Sequence, residues 1–256
     1  MNPALIILGV VIVLIIYLYF FYSTNETILS DKLDLTLVQP DIAIANIVEP
    51  ESAIYSYEFW VYVGKYVGGT TQKLFYRNSD IYNATCTTGT FTNTVVLINN
   101  IGVYIDGASP TLKIDYVKNN AQIIPTPGSC TSARPANEKG TIDVTDNFPV
   151  QSWVHVIVSV STNYIDTYVN GKLTKSIKET EGIYLPSSSL PITFGKCDST
   201  ILAKLYRTIL ATDPQTAWDK YSAGNGDSKL SKYLGTLGMD VSLKKDNIEY
   251  SKFNLF

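Results

Sequence analysis

The stretch FPVQSWVHVIVSVSTNYIDTYVNGKLTKSIK, residues 148–178, decides how this chain folds. Val154, Val156, Val158 and Val160 alternate with Trp153, His155, Ile157 and Ser159, the period of two that sends successive side chains to opposite faces of a strand. A second strand follows at 164–169. Asn170-Gly171 then predicts a type I′ turn, whose two central residues both need positive φ, so 173–177 should fold back on the strand before it.

Toward the N-terminus, Tyr55, Tyr57, Phe59, Val61 and Val63 alternate with Ser56, Glu58, Trp60 and Tyr62, which predicts another strand ending at Gly64. Shorter strands are expected at 73–76, 94–99, 102–105 and 111–116, with Asn99-Asn100, Asp106-Gly107 and Ser109-Pro110 read as turns. Turn signals this closely spaced imply an antiparallel all-β fold. Residues 118–140 carry Pro125, Pro127 and Pro135 among small polar residues and read as a long loop, either a binding excursion or a plain surface one. Beyond the hairpin, 192–195 and 201–210 read as closing strands, and Asp213 stands where it can cap a short helix starting at Pro214. The tail after 228 mixes Tyr233, Leu234, Leu237, Met239, Tyr250, Phe253, Leu255 and Phe256 with lysines, and should pack on its own domain or on a neighbour.

Composition agrees with sheet. Of 256 residues, 18 are Tyr and only 17% are charged, which suits half-buried pleated surfaces better than charged amphipathic helices. A formal charge of -3 and the lack of any Lys/Arg run exclude the electrostatic footprint of a nucleic-acid binder. The cysteines Cys86, Cys130 and Cys197 are too few for a disulfide scaffold and lack metal spacing. Cys86 and Cys130 lie in polar, turn-rich sequence and can be bridged in an oxidising space; the alternative is three unpaired thiols.

Residues 4–22, ALIILGVVIVLIIYLYFFY, contain no charge. At about 1.5 Å rise per residue they would span roughly the 30 Å hydrocarbon core of a bilayer. The stretch opens with Ala4, Leu5, Ile6 and Ile7, and Tyr17, Tyr19, Phe20, Phe21 and Tyr22 gather at its end, where aromatic rings favour the headgroup region. No basic residue precedes the run and no small-x-small site follows it, so an uncleaved single-pass anchor is expected rather than a signal peptide. Its flanks carry no Lys/Arg asymmetry that would set its orientation. The expected organisation is an anchor at 1–22, a stalk or first edge strand at 23–50, a jelly-roll domain at 51–224 and an extension at 225–256.

Catalytic signatures are missing. His155 is the only histidine, and H-E-x-x-H, G-x-S-x-G and a P-loop are absent. Glu179 and Glu181 fall in a loop beside Gly182, and Glu58 has no carboxylate two or three residues away. No enzyme is expected and no cofactor. Calcium is the one ion the turns suggest, with Asp106, Asp143, Asp146 and Asn147 as oxygen donors.

Trp153-Val154-His155-Val156 followed by Tyr168-Val169-Asn170-Gly171 resembles the signature of the concanavalin A-like, laminin G-type jelly-roll superfamily, over roughly residues 50–224. The resemblance implies a two-sheet antiparallel sandwich with a short C-terminal helix, and it places His155 in a structural position. The superfamily's glucanases carry Glu-x-Asp-x-x-Glu, which this sequence lacks. With the apolar N-terminus, the chain also resembles membrane-anchored jelly-roll proteins of large double-stranded DNA viruses. That likeness implies a non-enzymatic minor capsid component of the virion, at the membrane or the capsid–membrane interface, touching lipid and other structural proteins. The alternative is a surface lectin that binds a glycan, and an anchored glycosidase stands third.

Overall fold

The computed structural model of the chain describes residues 26–87, 90–119, 139–224, 240–245 and 248–254, with side chains left out at 79–98 and beyond 224. Its strands are β1 (Glu26–Asp34), β2 (Tyr55–Val63), β3 (Gln72–Thr87), β4 (Thr90–Ile105), β5 (Leu112–Val117), β6 (Lys139–Thr145), β7 (Trp153–Val160), β8 (Tyr164–Val169), β9 (Lys172–Lys178), β10 (Ile192–Phe194) and β11 (Thr200–Thr208). A helix, α1 (Pro214–Ala223), and a separate hairpin, β12 (Asp240–Lys245) with β13 (Ile248–Asn254), follow.

Two antiparallel sheets form a sandwich: one of six strands in the order β1-β11-β2-β7-β8-β9, and one of five in the order β10-β3-β4-β5-β6. The alternation in β2 and β7 sends Tyr57, Phe59, Val61, Val154, Val156 and Val158 inward, where they meet Phe75, Ile101, Val103, Ile114 and Ile142 of the other sheet in one buried core. Each such side chain contributes about 1.5–3 kcal/mol by leaving water. Phe59 and Phe75 meet edge to face across the layers, with ring centroids 5.3 Å apart. At the β8–β9 turn Asn170 and Gly171 both take positive φ, 49° and 73°, as the Asn-Gly pair predicts.

Two arginines lie fully inside this core. Arg77, on β3, donates to Pro50 O at 2.9 Å, to Leu190 O at 3.4 Å and to Ser187 O. Arg207, on β11, donates to Glu49 O at 3.0 Å and to Val48 O, and its guanidinium stands 5.4 Å from the Tyr55 ring centroid. One arginine from each sheet thus grips the same loop, and backbone carbonyls and an aromatic face, rather than a carboxylate, compensate the charges.

Two expectations are corrected. Asn99-Asn100 is not a turn: both residues lie within β4, where the pairing register shifts opposite Arg77/Asn78. The expected membrane anchor is also not found among the described residues. Among the described residues no helix is long and apolar enough to cross a bilayer, and α1, with ten residues, falls far short of the roughly twenty a span needs. The fold class is therefore an all-β two-sheet sandwich without a transmembrane helix in its described part. Residues 4–22, including Ala4 and Tyr22, lie outside the described residues.

Candidate functional site

The chemistry of the molecule lies on the two outer faces of the sandwich. On the six-stranded sheet the outward residues of β2 and β7 include Glu58, Trp60, His155 and Ile157, and α1 lies over these four. The helix starts where it does because the Asp213 carboxylate accepts from the N–H groups of Gln215 and Thr216 at 2.9 and 3.0 Å, with Pro214 in the first turn. Ala217 packs on Ile157 and Tyr168 in a small second core. Tyr221 stacks on Trp60 with centroids 5.9 Å apart and planes at 21°, and leans on His155.

Beneath the helix His155 Nε2 lies 3.1 Å from Glu58 Oε1, and Lys220 Nζ reaches both Glu58 Oε2 and Glu26 Oε1, the latter at 2.8 Å. Burial pushes the Glu58 carboxyl up, but the hydrogen bonds from His155 and Lys220 outweigh it and hold the group below the usual carboxylate range. His155 is fully buried, and among the described residues its Nδ1 has no hydrogen-bond partner. A substrate could reach this pair only if α1 were removed, so the cluster ties helix, sheet and edge strand β1 together.

Among the described residues nothing covers the outer face of the five-stranded sheet. A cleft of ≈ 250 Å³ is lined by Thr71, Lys73, Phe75, Tyr76, Asn99, Gly102, Val103, Tyr104, Asp115 and Lys139. The register explains its shape: Tyr76, Gly102, Asp115 and Thr141 stand in one row across β3, β4, β5 and β6, and Lys73, Tyr104, Lys113 and Asp143 in the next. Gly102 leaves the gap between Tyr76 and Asp115. A Cβ there would come within 3.2 Å of the Asn99 amide, so that amide lies over the glycine.

Two bulges bring the lining together. Between Lys73 and Phe75 the register shifts by the extra residue Leu74, which is buried, so Lys73 and Tyr76 face outward together although three residues separate them. The second shift makes Asn100 the extra residue. Asn100 turns inward, donating to Tyr184 O at 2.7 Å and accepting from Tyr55 Oη at 3.2 Å, and Asn99 joins Gly102 on the outer face.

Asp115 is 3% exposed and fully engaged. Its Oδ1 accepts from Tyr104 Oη at 3.0 Å and Thr141 Oγ1 at 2.8 Å, and its Oδ2 from Lys139 Nζ at 2.7 Å. Burial, with the Asp115 charge next, pushes the Tyr104 hydroxyl up, so it stays a donor. Asp115 is the one carboxylate among the described lining residues, whereas glycoside hydrolysis ordinarily uses two. This geometry can hold a ligand and does not supply a pair of carboxylates to cleave one.

The sequence-expected residues fall elsewhere. Lys113 Nζ bridges Asp106 at 2.9 Å and Asp143 at 3.5 Å, taking the place expected for calcium, and Asp146 offers only its carbonyl, to Thr111. Among the described residues no group of three or more His, Cys, Asp or Glu side chains could hold a metal. Cys86 pairs through its backbone with Phe91 near the tip of the β3–β4 hairpin, while its proposed partner Cys130 lies outside the described residues. Cys197 is a buried free thiol pushed up to about 12 by burial.

No family model matches the chain, and no curated protein matches it. Among solved structures it is similar to the binding domain of botulinum neurotoxin serotype D, at 12% identity and TM-score 0.46, covering 77% of this chain and 41% of that one. It is also similar to the binding domain of botulinum neurotoxin DC in complex with rat synaptotagmin II, at 13% identity and TM-score 0.41, with 70% and 38% covered. The same toxin's binding domain in complex with SialylT matches at 13% identity and TM-score 0.42, with 68% and 37% covered. The chain spans about two fifths of the length of these chains, and the likeness concerns architecture alone. The expected kinship with virion minor capsid proteins, and with it the location at a capsid–membrane interface, is corrected. The solved structures named above are toxin binding domains, alike in architecture only, and no helix among the described residues can cross a bilayer.

Proposed function

We propose that the domain is a non-catalytic glycan-binding module whose ligand lies in the open cleft of the five-stranded sheet. One observation carries this reading. Two half-buried tyrosines, Tyr76 and Tyr104, flank the side-chain-free floor at Gly102, and the Asn99 amide and Lys73 ammonium stand beside them. Sugar rings have apolar faces and hydroxyl edges, and tyrosines next to a few polar groups on a rigid sheet match both. The volume suits one or two rings, below the roughly 300–1,000 Å³ of pockets for drug-sized ligands. The saturated Asp115 holds Tyr104 and Lys139 in place, so the walls are formed before a ligand arrives.

The test is calorimetric titration of the full chain against a panel of oligosaccharides, in parallel with Tyr76→Ala. Binding that Tyr76→Ala weakens by about tenfold or more, equivalent to roughly 1.4 kcal/mol, supports the reading. A panel with no binder, or a binder indifferent to Tyr76→Ala, overturns it.

A further inference from the structure

We infer that the ligand of this cleft carries an anionic group, a carboxylate or sulfate on a saccharide, and that Lys73 receives it; this rests on the glycan-binding reading of the same cleft. Three lysines stand on the outer face of the five-stranded sheet. Lys113 is neutralised by Asp106 and Asp143, and Lys139 by Asp115. Lys73 is different: among the described residues its ammonium has no carboxylate partner and stands 5.5 Å from the Tyr76 ring centroid. A cation resting on an aromatic face is weakly compensated, and an anion can approach it without breaking an ion pair.

Hydrogen bonding points the same way. Asp115 spends its acceptor sites on Tyr104, Thr141 and Lys139, so the one carboxylate of the cleft has little left for the hydroxyls of a neutral sugar. The Asn99 amide, which both donates and accepts, and the Lys73 ammonium, which only donates, remain, so the ammonium tips the cleft toward donors. A ligand rich in acceptors fits that balance.

The backbone of Lys73 is also held. Its carbonyl accepts from Cys197 Sγ at 3.2 Å, and Gly195 packs so closely that a Cβ there would lie 2.3 Å from the same oxygen. The bulge at Leu74 then aims the side chain outward beside Tyr76. A fixed base under a flexible ammonium suits recognition of a point charge rather than a bidentate group.

The experiment titrates the full chain with oligosaccharides of equal length that are neutral, carry uronic acid, or carry sulfate, and with inorganic sulfate alone, for the native chain, Lys73→Met and Tyr76→Ala. At least one acidic oligosaccharide should bind about tenfold or more tighter than the neutral one. Lys73→Met should remove that preference, and raising the salt concentration should narrow the gap. Tighter binding of only the uronic acid or only the sulfated arm supports the inference and identifies the group. Equal binding of neutral and acidic oligosaccharides, or a preference that survives Lys73→Met, overturns it while leaving glycan binding intact. Inorganic sulfate binding as tightly as the sulfated oligosaccharide also overturns it. Loss of all oligosaccharide binding in the native chain would sink the glycan reading itself.

Discussion

The two outer faces of the sandwich use the same materials to opposite ends. Each has a buried carboxylate satisfied by a lysine and a second polar group: Glu58 by Lys220 and His155, Asp115 by Lys139 with two hydroxyls. Each has aromatic rings standing on the sheet. On the six-stranded sheet α1 supplies Tyr221 to stack on Trp60, and the face is closed. On the five-stranded sheet Tyr76 and Tyr104 have no such cover among the described residues, and Gly102 leaves a hollow between the strands. The difference is one ten-residue helix. A carboxylate–lysine pair under a helix is a fastening; the same pair beside a hollow braces the wall of a site.

This comparison breaks if changes to the closed face alter ligand binding, or changes to the open face alter stability. The largest effect is expected from Trp60→Ala, which leaves a cavity under Tyr221 and against His155 and should cost about 3–5 kcal/mol in urea unfolding. Ligand affinity of the folded fraction should not change. Glu58→Ala comes next: it strands the buried His155 and part of the Lys220 charge, with an expected loss of about 3 kcal/mol by the same measurement. On the open face, Tyr76→Ala should reduce oligosaccharide affinity about tenfold while its unfolding free energy stays within about 1 kcal/mol of native.

Acid should act on the closed face first. The Glu58 carboxyl lies below its ordinary range in the folded chain, so its stabilising contribution is present above the unfolded value of about 4.3 and is lost as pH falls through the folded value. Burial pushes Lys220 down, but Glu26 and Glu58 outweigh it and raise the group, so its share fails only in alkali, above about pH 10.4. The near-ultraviolet circular dichroism of the Trp60–Tyr221 stack should therefore be flat through neutrality and fall below about pH 4. The smallest effect is expected from Gly102→Ala. Gly102 has no positive φ, and the added methyl is tight only against the Asn99 Nδ2, which can turn aside, and makes ordinary contact with the Asn99 Cβ, so stability should shift by less than about 0.5 kcal/mol while the hollow fills and affinity drops.

How much of this was legible in the sequence follows from periodicity. The alternation at 55–63 and 153–160, the Asn170-Gly171 turn and the Asp213-Pro214 cap are local signals, and local backbone preferences satisfy them. The cleft was not legible, because bulges build it. A strict period of two puts Lys73 with Phe75 and sets Leu74 beside Tyr76; one extra residue reverses both assignments. Asn99-Asn100 signalled a turn for a sound reason, since Asn favours irregular backbone, but the irregularity is a bulge in a continuous strand. The apolar stretch at 4–22 has the length and character of a bilayer span and points the expected function toward a particle membrane, whereas the cleft lies on the five-stranded sheet.

The buried arginines have a mechanical side. Tension applied at Glu26 would first peel β1 from β11, an edge strand whose hydrogen bonds can open one after another. It would then reach residues 48–50, which Arg207 holds from one sheet and Arg77 from the other. From that point the load is shared by both layers at once, and the edge strand, once its Glu26–Lys220 tie has parted, acts as a fuse ahead of that joint.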